Sequence, residues 1–136
     1  MRHVLVIEDD RRIADRVTDL VVDAGASSVD VVSDEAAAVE AATRHRPSVI
    51  VSDIDLREGG RGPDAVERIR ALYGAVPTIF VTADPSGHQV DALSDTILIK
   101  PVSANAFAST FLAITGDLAR WRELAESRAL VPAQGT

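Results

Sequence analysis

The chain contains no cysteine. That excludes disulfides, thiolate metal centres and cysteine nucleophiles together. It has no apolar run of ~18 residues, so no membrane-spanning helix is expected. The apolar run near the start, Val4-Leu5-Val6-Ile7, is too short for the core of a signal peptide, and a cytoplasmic protein is expected. Basic residues are outnumbered, and the net charge is −7. The arginines lie in helical stretches beside acids, as on a solvated face, and no basic nucleic-acid footprint emerges. Lysine is nearly absent: of 14 basic residues, Lys100 alone is Lys. A chain that otherwise uses only Arg, and uses Lys once, points to a place for a compact ammonium. Internal repeats and low-complexity stretches are also missing.

What is present fits one domain. The 136 residues are 46% hydrophobic and 26% charged, enough apolar material for a sizeable core. Short apolar runs at His3–Ile7, Val29–Val32, Val49–Ser52, Thr78–Val81 and Thr96–Ile99 predict five strands. Their continuous apolar character suits a parallel sheet covered on both faces. Helical periodicity lies between them. Ile13, Val17, Leu20 and Val21 form one stripe that stops near Gly25. An Ala-rich helix is expected from about Asp34 to His45. Val66, Ile69 and Tyr73 mark a helix opened by Pro63 and closed by Gly74. A short, weak helix is expected around Gly87–Leu93. A fifth begins after Ser103 as N-cap and carries Phe107, Phe111 and Ile114. The alternation predicts an α/β fold with a doubly wound parallel sheet. The domain is expected to span residues 1–115. Residues 116–136 are expected to form a helical extension with Trp121 and a frayed tail, too short for an output domain.

In such sheets, sites form beyond the carboxyl ends of the strands. Glu8, Asp9 and Asp10 follow the first apolar run; Asp53 and Asp55 follow the third; Thr82 and Ala83 follow the fourth; Lys100 and Pro101 follow the fifth. Acids, a hydroxyl and one ammonium thus share one edge. Two like charges ~4 Å apart cost ~4 kcal/mol at an effective dielectric of 20, so a cation between the acids is expected. Carboxylates and carbonyls suit Mg²⁺ or Mn²⁺. Three scattered histidines without cysteine argue against a zinc site. A carboxylate can attack phosphorus to form an acyl phosphate, and Asp53, ending the central run, is the best nucleophile. Asp10 reads as an N-cap; a strand one residue longer would instead shift the acid pair to Asp9 and Asp10. His3, His45 and His88 read as strand-edge or surface residues. Thr82 by itself would read as a hydroxyl bonded to nearby backbone.

Taken in order and spacing, the acid pair, the strand-ending Asp, Thr82-Ala83 and Lys100-Pro101 resemble response-regulator receiver domains, over roughly residues 2–115. The resemblance implies a flavodoxin-like (βα)5 sheet of order 2-1-3-4-5. It makes Asp53 the phosphoacceptor. Glu8 and Asp9 become the metal acids, with Asp9 the direct ligand, and Asp55 lends its backbone carbonyl. Thr82 becomes the switch hydroxyl and Lys100 the phosphoryl contact, with a cis Lys100–Pro101 bond. Asp55 and Asp84 would tune water access to the phosphoryl group. The resemblance further implies a signalling module rather than an enzyme, phosphorylated by a sensor histidine kinase or a histidine phosphotransfer protein. Its output would go to a downstream protein or a second copy of the chain, with no nucleic-acid or membrane partner.

Three departures stand out. Ile97 replaces the usual aromatic three residues before Lys100 and cannot make the same swing. The stretch from Thr82 to Lys100 is short by about one helical turn. The Leu56–Gly62 loop is Gly-rich and longer than common. Two other classes remain open: a haloacid dehalogenase-type phosphatase using Asp53, although Arg57 breaks its motif, and a binding module that is never phosphorylated.

Overall fold

In the computed structural model the described residues are 2–56, 60–83 and 95–116. The weak helix at Gly87–Leu93, the extension with Trp121, His88 and Asp84 lie outside them, as do residues 57–59 of the long loop.

Five strands form one parallel sheet: β1 (His3–Ile7), β2 (Ser28–Val32), β3 (Val49–Asp53), β4 (Thr78–Thr82) and β5 (Asp95–Ile99). Their spatial order is β2-β1-β3-β4-β5, the flavodoxin-like order. Four helices accompany them among the described residues: α1 (Arg11–Asp23), α2 (Glu35–Arg44), α3 (Gly62–Tyr73) and α4 (Ala104–Ile114). Four of the five strands run one residue beyond the expected apolar runs. The added residues are polar (Ser28, Asp53, Thr82 and Asp95), and ladder hydrogen bonds carry them although hydrophobicity does not.

Each helix starts where local chemistry dictates. Asp10 caps α1, its Oδ1 accepting from the backbone N–H groups of Arg12 and Ile13. Asp34 caps α2 and Ser103 caps α4 in the same way. In α3 a Pro near the start replaces a capping side chain. Gly74 ends α3 with φ of 85°, a conformation that disfavours side chains with a Cβ.

Strand periodicity of two divides the core. Val4 and Val6 of β1 join Val49, Val51, Ile79 and Val81 beneath α1 and α4, where Phe107 and Phe111 pack. Leu5 and Ile7 join Ile50 and Phe80 beneath α2 and α3, against Ala38, Ala41, Val66 and Ile69. Both faces are therefore dry, which is why β1, β3 and β4 read as unbroken apolar runs. The outer strand β2 is only partly buried, and Val31 is 49% exposed. No described helix is long and apolar enough to cross a membrane.

Candidate functional site at the carboxyl edge of the sheet

The chain reverses its direction of travel across the sheet between β1 and β3. A crevice opens there beyond the strand ends. Register aligns Ile7 with Ser52, so Glu8 and Asp9 emerge beside Asp53, the last residue of β3. β4 ends at Thr82, and β5 delivers Lys100 next to it, the Lys100 backbone N–H donating to the Thr82 carbonyl at 2.8 Å. The Lys100–Pro101 bond is cis.

The side chains converge. Lys100 Nζ lies 3.0 Å from Glu8 Oε1 and 3.4 Å from Asp53 Oδ2. Glu8, Asp9 and Asp53 each place a carboxylate oxygen within 4.8 Å of the other two. Glu8 is buried, while Asp9 and Asp53 are half-buried and reachable from solvent. Thr82 is buried at the rim. Asp55 lies just past the site, its backbone bridged to Arg61.

Glu8 holds the electrostatic balance. Burial pushes its carboxyl up from 4.5 to about 7, and the negative Asp53 adds to the rise. The Asp10 N–H, donating to Glu8 Oε2 at 3.1 Å, and the Lys100 ammonium both oppose the rise. Three ionised carboxylates against one ammonium would leave two net negative charges. A divalent cation of the hard class balances that charge, and the all-oxygen donor set suits it. Glu8, Asp9 and Asp53 therefore fit a magnesium site.

Structural parts that sequence reading missed lie behind Asp53. The Ser52 hydroxyl donates to the Asp53 carbonyl at 2.7 Å. Gly62, in the first turn of α3, sits so close that a Cβ there would overlap that carbonyl and the Ser52 hydroxyl. Its glycine identity was the available signal. Asp10 proves to be the α1 cap rather than a member of the acid pair, yet its backbone N–H holds Glu8 in place. Beside Lys100 a groove of about 600 Å³ runs between α1 and the Lys100–Val102 turn, lined by Ile13, Val17, Leu20 and Pro101. Ile97, at the position of the usual aromatic, is 37% exposed on β5.

The family model described as the response regulator receiver domain matches residues 4–111. The chain belongs to the response regulator receiver family. This sets aside the dehalogenase-type reading of Asp53-Ile54-Asp55. The receiver is similar to the phyllosphere-induced regulator PhyR of Methylorubrum extorquens, 37% identical over 83 residues, or 60% of this chain and 31% of that protein. It thus spans about a third of the length of that curated relative. The PhyR receiver domain of Erythrobacter litoralis superposes with a TM-score of 0.72 at 28% identity, covering 83% of this chain and 88% of that one. The anti-anti-sigma factor PhyR of Bartonella quintana gives a TM-score of 0.70 at 26% identity, over 94% of this chain and 51% of that one.

Proposed function

We propose that this receiver accepts a phosphoryl group on Asp53 and signals through protein contacts. The convergence of Asp53 with Glu8, Asp9 and Lys100, residues from three separate strand ends, is the observation that carries this reading. An Asp53 carboxylate oxygen attacks phosphorus of a phosphohistidine. The P–N bond breaks, the imidazole leaves with its electron pair, and a mixed anhydride forms on Asp53. Lys100 stabilises charge on the transferred group in this reading, which its 3.4 Å distance from Asp53 Oδ2 supports. Thr82, at the end of β4, donates its hydroxyl to a phosphoryl oxygen in this reading. Glu8, Asp9, Asp53 and the Asp55 backbone carbonyl would hold Mg²⁺, which when bound neutralises charge between carboxylate and phosphate. Hydrolysis of the anhydride returns the resting state.

The donor is a sensor histidine kinase or a histidine phosphotransfer protein, and the apolar groove beside Lys100 offers it a surface next to Asp53. Phosphorylation biases a two-state equilibrium of the domain. Output by protein contact fits the anti-anti-sigma factor among the structural neighbours. The absence of a membrane-spanning helix among the described residues is compatible with action in the cytoplasm.

Incubation with acetyl phosphate, followed by intact-protein mass measurement, tests the reading. The wild type should gain one phosphoryl group with Mg²⁺ present and lose that gain on chelation. Asp53→Ala should gain none. Labelling of Asp53→Ala would move the phosphoacceptor to another residue, and no labelling of the wild type by acetyl phosphate or by any phosphohistidine donor would leave a receiver-fold binding module instead.

A further inference from the structure

Ser52 is a buried hydroxyl residue with no part in the chemistry proposed above. It is 1% exposed and directly precedes Asp53 on β3. Parallel pairing sets it between Ile7 of β1 and Phe80 of β4, both buried and apolar. Strand periodicity puts its side chain on the face where Ile50 packs beneath α2 and α3. A hydroxyl there gives up its hydration and needs a partner. The first turn of α3 lies against it: a Cβ on Gly62 would overlap the Ser52 hydroxyl and the Asp53 carbonyl together. That closeness calls for a small side chain at position 52. Alanine would also be small, so size does not account for the oxygen.

The backbone that follows does. Ser52 Oγ donates to the Asp53 carbonyl at 2.7 Å. The Gly62 N–H donates to the next carbonyl, that of Ile54, at 2.9 Å. The Leu56 N–H belongs to the same planar peptide unit as the Asp55 carbonyl, and it donates to the Gly60 carbonyl at 3.1 Å. Each peptide unit from Asp53 to Leu56 is therefore tied by a hydrogen bond. The buried side chains of Ile54 and Leu56 anchor the same segment. A planar unit turns as one body, so holding its carbonyl oxygen fixes the backbone angle on either side. Two of these ties run from backbone to backbone and do not depend on a side-chain donor. The tie on the Asp53 carbonyl depends on the Ser52 side chain. It acts on the residue that carries the nucleophile and at the start of the path to the Asp55 carbonyl.

We propose that Ser52 is a positioning residue for phosphoryl transfer. Its hydroxyl fixes the Asp53–Ile54 peptide unit, which orients the Asp53 carboxylate for attack and sets the course of the chain to Asp55. This rests on the reading of Asp53 as phosphoacceptor and adds a residue that touches neither phosphate nor metal. Ser52→Ala removes the hydroxyl with little change in volume. Thr78→Val is the control, since it removes another buried hydroxyl that donates to a backbone carbonyl, that of Val76, at the far edge of the sheet. Labelling by acetyl phosphate at saturating Mg²⁺ is followed by intact mass. Mg²⁺ affinity is measured by NMR titration without any phosphodonor, on proteins shown by circular dichroism to be folded. Ser52→Ala should lower the labelling rate at saturating acetyl phosphate by roughly tenfold, with the half-saturating concentration little changed. It should weaken Mg²⁺ binding by a similar factor, the loss that an outer partner of a metal ligand causes. Thr78→Val should lose stability and keep both properties. Ser52→Cys keeps a weak donor and should fall between Ser52→Ala and the wild type; it carries the test if Ser52→Ala does not fold. Wild-type labelling and Mg²⁺ binding in the folded Ser52 variants would overturn the positioning role alone. Equal losses in Thr78→Val would overturn it too, by tracing them to stability. A wild type that takes no label would overturn the phosphoacceptor reading and this role with it.

Discussion

Glu8→Gln should abolish a large pH dependence of stability that the wild type carries. The Glu8 side chain is 3% exposed, and burial is the main cause that lifts its carboxyl from 4.5 to about 7. A carboxyl whose value is higher folded than unfolded holds its proton more tightly in the folded state. Stability from this group therefore falls as pH rises. The penalty is absent below about 4.5, grows between 4.5 and about 7, and is complete above that. The difference between 4.5 and about 7 corresponds to about 3 kcal/mol. Urea denaturation of both proteins, in buffers from acid to mildly alkaline pH and free of divalent ions, measures it. The wild type should lose about 3 kcal/mol relative to Glu8→Gln across that window. Saturating Mg²⁺, at about 100 times its Kd, should return about 2.7 kcal/mol to the wild type at alkaline pH. It should return less to the variant, which lacks one of the acids. Parallel stability curves for the two proteins across the whole range would refute the assignment of buried charge to Glu8.

Gly62→Ala sets helix propensity against packing. Propensity alone favours Ala by about 1 kcal/mol, but the new Cβ would overlap the Asp53 carbonyl and the Ser52 hydroxyl. A net loss of about 1–3 kcal/mol in urea denaturation is expected, with slower labelling of Asp53. Asp10→Ala removes the α1 cap and should cost about 1 kcal/mol by thermal or urea unfolding. It should leave Mg²⁺ affinity nearly unchanged, since the backbone N–H that holds Glu8 remains. Lys100→Ala should slow phosphorylation by acetyl phosphate by roughly 100-fold without unfolding the chain, measured as the rate of mass gain.

Much of this molecule follows from local pattern. Apolar runs and helical stripes are properties of neighbouring residues, so the strands, the four described helices and the caps at Asp10 and Ser103 could be read directly. The candidate residues Glu8, Asp53, Thr82 and Lys100 stood out in the sequence because each directly ends or follows a strand, and parallel strands place all their carboxyl ends at one edge. Three-dimensional closure decided the rest. Only the sheet register shows that Glu8 is buried against Lys100 while Asp9 and Asp53 stay open to solvent. That difference in hydration raises the Glu8 carboxyl, and no pattern in Glu8-Asp9-Asp10 encodes it. Gly62 looks like any loop glycine until α3 is laid on the end of β3. His3 and His45 look scattered because the stacking of their rings, centroids 3.5 Å apart, depends on where α2 stops over the sheet, a distance set by the packing of Ala38, Ala41 and Ala42 rather than by either histidine's neighbours in the chain.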